Sequence, residues 1–152
     1  GMSSDAELLM MFASRAEHLH KVILPALEAG KNVLCDRFTD ATYAYQGGGR
    51  GISQQRIADL EHWVQKGLKP DLTLLLDLPV DVGLERAGKR STPDRFESED
   101  ISFMQRMRLT YLDIASREPE RVKVIDSSQA LGNVLSQIDS ILDDLLAGAT
   151  SE

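Results

Sequence analysis

Apolar residues recur at helical spacing through the first thirty positions: Leu8, Phe12, Leu19, Ile23 and Leu27, with Ala16 on the same side. This pattern predicts a helix over 3–29. Ser4 or Asp5 suits its start and Gly30 its end, while Pro25 should kink or divide it. The pattern then changes to short apolar runs, predicting strands over 32–36, 72–78 and 122–125. The first two lack polar alternation and read as parallel strands buried in the sheet, 72–78 on both faces. A short helix is expected over 39–46, with a loop at the glycines that follow. Ser53 should cap a helix running to about 66, with Ile52 and Ile57 as its hydrophobic staple. Further helices are expected over 80–87, over 99–117 (stripe Met104, Met107, Tyr111, Ile114) and over 131–146 (Val134, Ile138, Leu142 and Leu145 inward). Residues 88–98, rich in charge with a glycine and a proline, read as a loop. Helices alternating with strands predict an α/β fold with a parallel sheet of three strands.

Length and charge narrow this picture. A chain of 152 residues fits one domain with a real core. The net charge of −7 argues against a general nucleic-acid binder, which needs a basic face, though a few local arginines still suit a small anion. Cys35 is the only cysteine, so no internal disulfide can form, which suits a reducing cytoplasm. No apolar run is long enough to span a membrane. His18, His20 and His62 lack metal-binding spacing, and Trp63 reads as a packing residue.

Candidate chemistry concentrates where the run Val33-Leu34-Cys35 ends in Asp36-Arg37. Ligands of open α/β sheets bind at the carboxyl ends of strands. Arg37 offers a planar fork suited to phosphate, and Asp36 could hold a hydrated magnesium ion or orient a nucleophile. Asp77 and Asp126 also end apolar runs, but capping a turn or helix is the simpler role for them. On spacing alone, Phe12 is a core residue and Arg15 a surface charge. Gly47 to Gly51 is glycine-rich but is not a P-loop, because no stretch reads G-x-x-x-x-G-K-[ST].

Asp36-Arg37-Phe38 followed by Ala44-Tyr45-Gln46-Gly47-Gly48-Gly49-Arg50-Gly51 closely resembles the signature of bacterial thymidylate kinases. The similarity extends through Pro70-Asp71-Leu72-Thr73-Leu74 and the basic segment from Arg86 to Arg95, and back to Leu8 through Arg15. The family's amino-terminal phosphate-binding segment has no counterpart here. The resemblance therefore implies an incomplete P-loop-kinase-like three-layer fold, with the central first strand missing. The strands at 32–36 and 72–78 would then pair directly, leave exposed edges or borrow a strand. A homodimer with strand exchange, a rearranged sheet or low stability is expected.

The resemblance also assigns roles. Arg15 would donate to thymine O4, with either Met11 or Phe12 covering the base. Thr42, Tyr45 and Gln46 would line the same dTMP pocket: Gln46 reads the thymine ring, and Tyr45 packs near the sugar. Asp36 and Arg37 would serve catalysis, Arg37 also binding substrate and Asp36 touching Mg2+ through water. The segment at about 86–98 would be a lid over ATP, with Arg86, Arg90 and Arg95 on its phosphates and the last two offsetting transition-state charge. The implied reaction is ATP-dependent phosphorylation of dTMP to dTDP in nucleotide biosynthesis, in the cytoplasm. Without a phosphate cradle, this chain alone is expected to be weakly active or inactive. The rival reading is a non-catalytic nucleotide-binding or oligomerisation module. A related kinase acting on other nucleotides or nucleosides is a second alternative.

Overall fold

The computed structural model describes residues 1–88 and 101–149. The chain starts with α1 (Ser4–His18), where the Ser3 side chain, not that of Ser4 or Asp5, accepts from the Ala6 amide. The helix does not break near Pro25. It widens into a π-helical turn at Leu19–Ile23 and continues as α2 (Leu24–Glu28), with the proline in its first turn. A proline ring clashes with the preceding turn and lacks a donor, and the wider turn accommodates both defects. Gly30, at φ +71°, follows the end as expected.

Next come α3 (Thr39–Thr42) and a π-helical stretch, Tyr43–Gly49, which takes in the glycines expected to form a loop. Then α4 (Gln54–Gln65) ends in left-handed Lys66 and Gly67. Ile52 and Ile57 are both buried in one cluster with Leu8 and Phe12, as a staple requires. The Ser53 side chain makes no capping hydrogen bond. The chain continues through β1 (Thr73–Asp77), α5 (Val80–Gly88), α6 (Ile101–Arg117), β2 (Val122–Asp126) and α7 (Leu131–Ala149).

The expected three-stranded sheet is not formed. Among the described residues the sheet has two parallel strands, β1 and β2, with Thr73 opposite Val122 and Asp77 opposite Asp126. Residues 32–36 are not a strand, and Leu34 is 98% exposed. An apolar run becomes a strand only when a neighbour completes its hydrogen-bond ladder, and among the described residues none lies beside this one. The narrow sheet has further consequences. Leu76 is 55% exposed, so β1 is not buried on both faces. Leu142 and Leu145, expected inward, are exposed, because two strands are too narrow to cover a long helix. Trp63 is likewise exposed and is not a packing residue.

The core lies on the helical side. Leu8, Phe12, Ile52 and Ile57 form one cluster, and Ile114, Ala115 and Val122 form another. Tyr43 packs against both, so the segment beginning at α3 joins α1 and α4 to α6 and β2. Arg121 strengthens that junction. Its guanidinium donates twice to the Asp40 carboxylate, at 2.7 and 3.0 Å, and once each to Thr73 and Glu118.

Candidate functional site

The buried face of α1 delivers Arg15 to the start of α3. Helical spacing puts Leu8, Phe12 and Arg15 on one side, and all three are buried. The Arg15 guanidinium lies between two rings, 4.9 Å from the centre of Phe12 and 5.4 Å from that of Phe38. Its Nη2 donates to Thr42 Oγ1 at 2.9 Å and to the Phe38 carbonyl at 3.4 Å. Its Nη1 is buried with no protein partner. Burial pulls the Arg15 pKa down, with Cys35 and Glu61 opposing the shift. The spacing-based reading of Arg15 as a surface charge is therefore replaced by a buried, partly unsatisfied cation.

Gln46 repeats the pattern. The π-helical stretch buries it, and its Nε2 donates to Glu7 Oε1 at 2.8 Å. Its Oε1 is buried with no protein partner. Buried polar groups are almost always paired, so these two atoms, like Ser127 Oγ elsewhere among the described residues, retain unused hydrogen-bonding capacity. One is a donor and the other an acceptor, which is the complement of a nucleobase edge.

Arg37 and Tyr45 form a second group. Arg37 has a left-handed backbone, φ 57°, unusual for a residue with a long side chain. Its guanidinium sits 5.1 Å over the Tyr45 ring. A cleft of about 320 Å³ opens here, beside the carboxyl end of β1, walled by Arg37, Tyr45, Asp77, Arg108 and Tyr111 together with apolar residues of α5 and α6. Burial raises the Tyr111 pKa, further raised by Tyr45 and opposed by Arg37, so its hydroxyl stays protonated. A second cleft, lined by Tyr43, Glu61, Arg117 and Arg121, has its charges internally matched; Tyr43 donates to Glu61 at 2.7 Å and Arg121 to Asp40.

The remaining candidates fall as follows. Thr42 is fully buried and Met11 is exposed, while Phe12 is 2% exposed and packed in the core beneath Arg15. Asp36 is exposed beside Arg37. Asp77 accepts from Nε and Nη2 of Arg108, at 2.7 and 2.8 Å. Asp126 accepts from Ser128 and Gln129 and closes the turn after β2. Those hydrogen bonds, Ser128's first, hold its carboxyl below the usual range. Arg86 donates to the carbonyls of Ser127 and Ser128, tying α5 to that same turn. Arg90 and Arg95 lie outside the described residues.

Several contributors had no local signal. Glu7 stands 39 positions from the Gln46 it holds. Phe38 supplies both a carbonyl and a ring to Arg15. Arg106 donates to the carbonyls of Gly48 and Gly49. Only the fold brings these pairs together.

Comparison with known proteins identifies the family. The family profile described as thymidylate kinase matches residues 1–138. The chain is 57% identical over 146 residues to the thymidylate kinase of Pseudomonas syringae pv. tomato, covering 96% of this chain and 70% of that protein. It is 56% identical over 145 residues to that of Pseudomonas putida strain GB-1, covering 95% and 69%. A solved thymidylate kinase from Ehrlichia chaffeensis superposes with a TM-score of 0.70 at 33% identity, over 93% of this chain and 66% of that one. The chain thus spans about two thirds of the length of its relatives, and it belongs to the thymidylate kinase family, a family of phosphotransferases.

Proposed function

We propose that this chain carries the acceptor half of a dTMP kinase, the enzyme that moves the ATP γ-phosphoryl group to dTMP and makes dTDP. The observation that carries the reading is the pair of orphaned atoms, Arg15 Nη1 and Gln46 Oε1. A thymine presents a carbonyl oxygen and a ring N–H along one edge, so it can accept from the first atom and donate to the second. Arg37, exposed at the mouth of the neighbouring cleft, is the cation for the monophosphate. The Tyr45 ring beneath it sets its height. Thr42 orients Arg15, and Met11 is the accessible apolar side chain of α1 beside it. Both orphaned atoms sit on helical segments rather than free loops, which favours a preorganised base site.

The donor side is less well provided for. ATP would supply the phosphoryl group and Mg2+ would spread its charge. Asp36 is the carboxylate for a hydrated magnesium, an ion that commonly uses one carboxylate together with substrate phosphates. The described residues include no group of three metal-ligating side chains. The 152 residues contain no G-x-x-x-x-G-K-[ST] cradle. Acceptor binding without efficient turnover is therefore the expected behaviour of this polypeptide by itself. Arg86, Arg90 and Arg95 are assigned to the ATP side by resemblance.

The chain is proposed to act in the cytoplasm as a homodimer. The apolar side chains exposed on β1, β2 and α7, such as Leu76, Val124 and Leu146, offer surface for such an assembly. No described helix is long and apolar enough to cross a membrane.

Calorimetric titration with dTMP, dCMP and ATP tests the reading. Selective dTMP binding with little ATP binding is expected. A folded sample that binds dCMP as tightly as dTMP would sink the base assignment. Rapid dTMP phosphorylation by the chain alone would overturn the claim of weak turnover.

A further inference from the structure

Arg37 lies at the surface, at the edge of the cleft beside β1. It is exposed, it has a left-handed backbone, and it follows a segment with no strand beside it among the described residues. Its guanidinium nevertheless rests 5.1 Å over the Tyr45 ring. Tyr45 in turn meets Phe103 of α6 at 6.2 Å between ring centres, inclined at 67°. On the Phe103 ring lies Arg50, at 5.3 Å. The result is a chain of contacts, Arg37–Tyr45–Phe103–Arg50, with a cation over a ring at each end and the two rings meeting edge to face between them.

We infer that Phe103 is a positioning residue for Arg37, acting through the ring of Tyr45; this rests on the assignment of Arg37 to the acceptor phosphate. Phe103 is buried at 7% exposure, yet it belongs to neither core cluster described above. Its ring fills the notch beside Gly49, where an added Cβ would come within 2.3 Å of it. The contact between α6 and the glycine stretch has other supports. Arg106 donates to the Gly48 and Gly49 carbonyls, and Gly48 sits close against Thr110. Phe103 is therefore not the sole attachment of α6 to this stretch. Its particular contact is the inclined ring pair that sets the plane of Tyr45, and a cation over an aromatic face follows the orientation of that face. A small error in the phosphate-binding group is costly, because positioning supplies much of this chemistry.

The test compares dTMP with thymidine, which lacks the phosphate, on the wild-type chain and on Phe103→Leu. Phe103→Met, which keeps much of the volume without a ring, covers the case in which the leucine variant fails to fold. A second readout needs no ligand: the side-chain Nε–Hε resonance of Arg37, shifted by the Tyr45 ring current. The substitution should weaken dTMP binding by about tenfold, leave thymidine binding within about twofold and move the Arg37 resonance toward its position in an unfolded chain. Equal weakening of both ligands, or an unmoved Arg37 resonance, would overturn the proposal. If wild type shows no preference for dTMP over thymidine, the phosphate assignment of Arg37 fails. The resonance then decides separately whether Phe103 holds the arginine: movement supports that role and no movement refutes it.

Discussion

Arg15 shows why residue type and spacing under-determine a role. At helical spacing it could be any surface charge, yet it is buried between two rings with one amino group unsatisfied. Keeping a cation there costs desolvation, which its lowered pKa reflects. Arg15→Met should thus change thermal stability little, because it removes that cost along with the hydrogen bond to Thr42. It should weaken dTMP binding by about ten- to a hundredfold, the worth of a charge-assisted hydrogen bond. Calorimetry and a thermal melt on the same sample check both halves, and an unchanged dTMP affinity would refute the assignment. Glu118 makes a prediction in pH. Its hydrogen bond from Arg121 holds its carboxyl below the usual value of 4.5, with Lys69 adding to the effect. A depressed carboxylate contributes stability above its unfolded pKa and loses it as pH falls through the folded value. Relative to Glu118→Gln, the wild type should lose stability as pH falls below about 4.5. Urea midpoints that run parallel for the two proteins across that range would contradict this.

At the scale of elements, the glycines matter for closeness of approach more than for flexibility. The Tyr43–Gly49 stretch lies on α6 so tightly that a Cβ at Gly48 would fall 2.1 Å from Thr110 Oγ1 and one at Gly49 2.3 Å from Phe103. Gly49→Ala should destabilise the fold by about 1–3 kcal/mol, the usual cost of overpacking. Chemical denaturation measures it, and a neutral result would mean that α6 yields freely. Sequence periodicity located α4, α5, α6 and α7 within a few residues, because each carries apolar residues at helical spacing, even where, as in α7, part of that stripe stays exposed. The run at 32–36 went the other way. Its composition suits a strand, but strand formation depends on a neighbouring ladder, and the described residues place none there.

Across the whole molecule, a partly buried ion pair joins α3 to the residue that precedes β2. Arg121 and Asp40 are mostly shielded, with side chains 13% and 19% exposed. Burial alone would lower the Arg121 pKa, but hydrogen bonds from its guanidinium to Asp40 and Glu118 outweigh this and raise it. Arg121→Met should cost about 3 kcal/mol, largely because it strands the Asp40 charge. The double variant with Asp40→Asn should recover part of that loss. A double-mutant cycle read by denaturation gives the coupling, and strictly additive effects would mean that the pair does not link α3 to β2. The narrow sheet belongs to this scale as well, since it leaves Leu76, Leu142 and Leu145 exposed although each lies in a regular apolar pattern.

Local order was legible in the sequence because local forces set it. Apolar period, glycine and proline placement and the run from Asp36 to Gly51 locate the helices, two strands and the candidate residues. Spacing alone also placed Phe12 in the core, where it lies. The tertiary structure alone decided which buried groups lack partners, that Arg15 is buried over Phe12, and that Arg37 rests on Tyr45. It also decided that, among the described residues, only β1 and β2 pair. These outcomes join positions tens of residues apart. Their free energy depends on which surfaces meet and which ladders close, and no short window of sequence contains both partners.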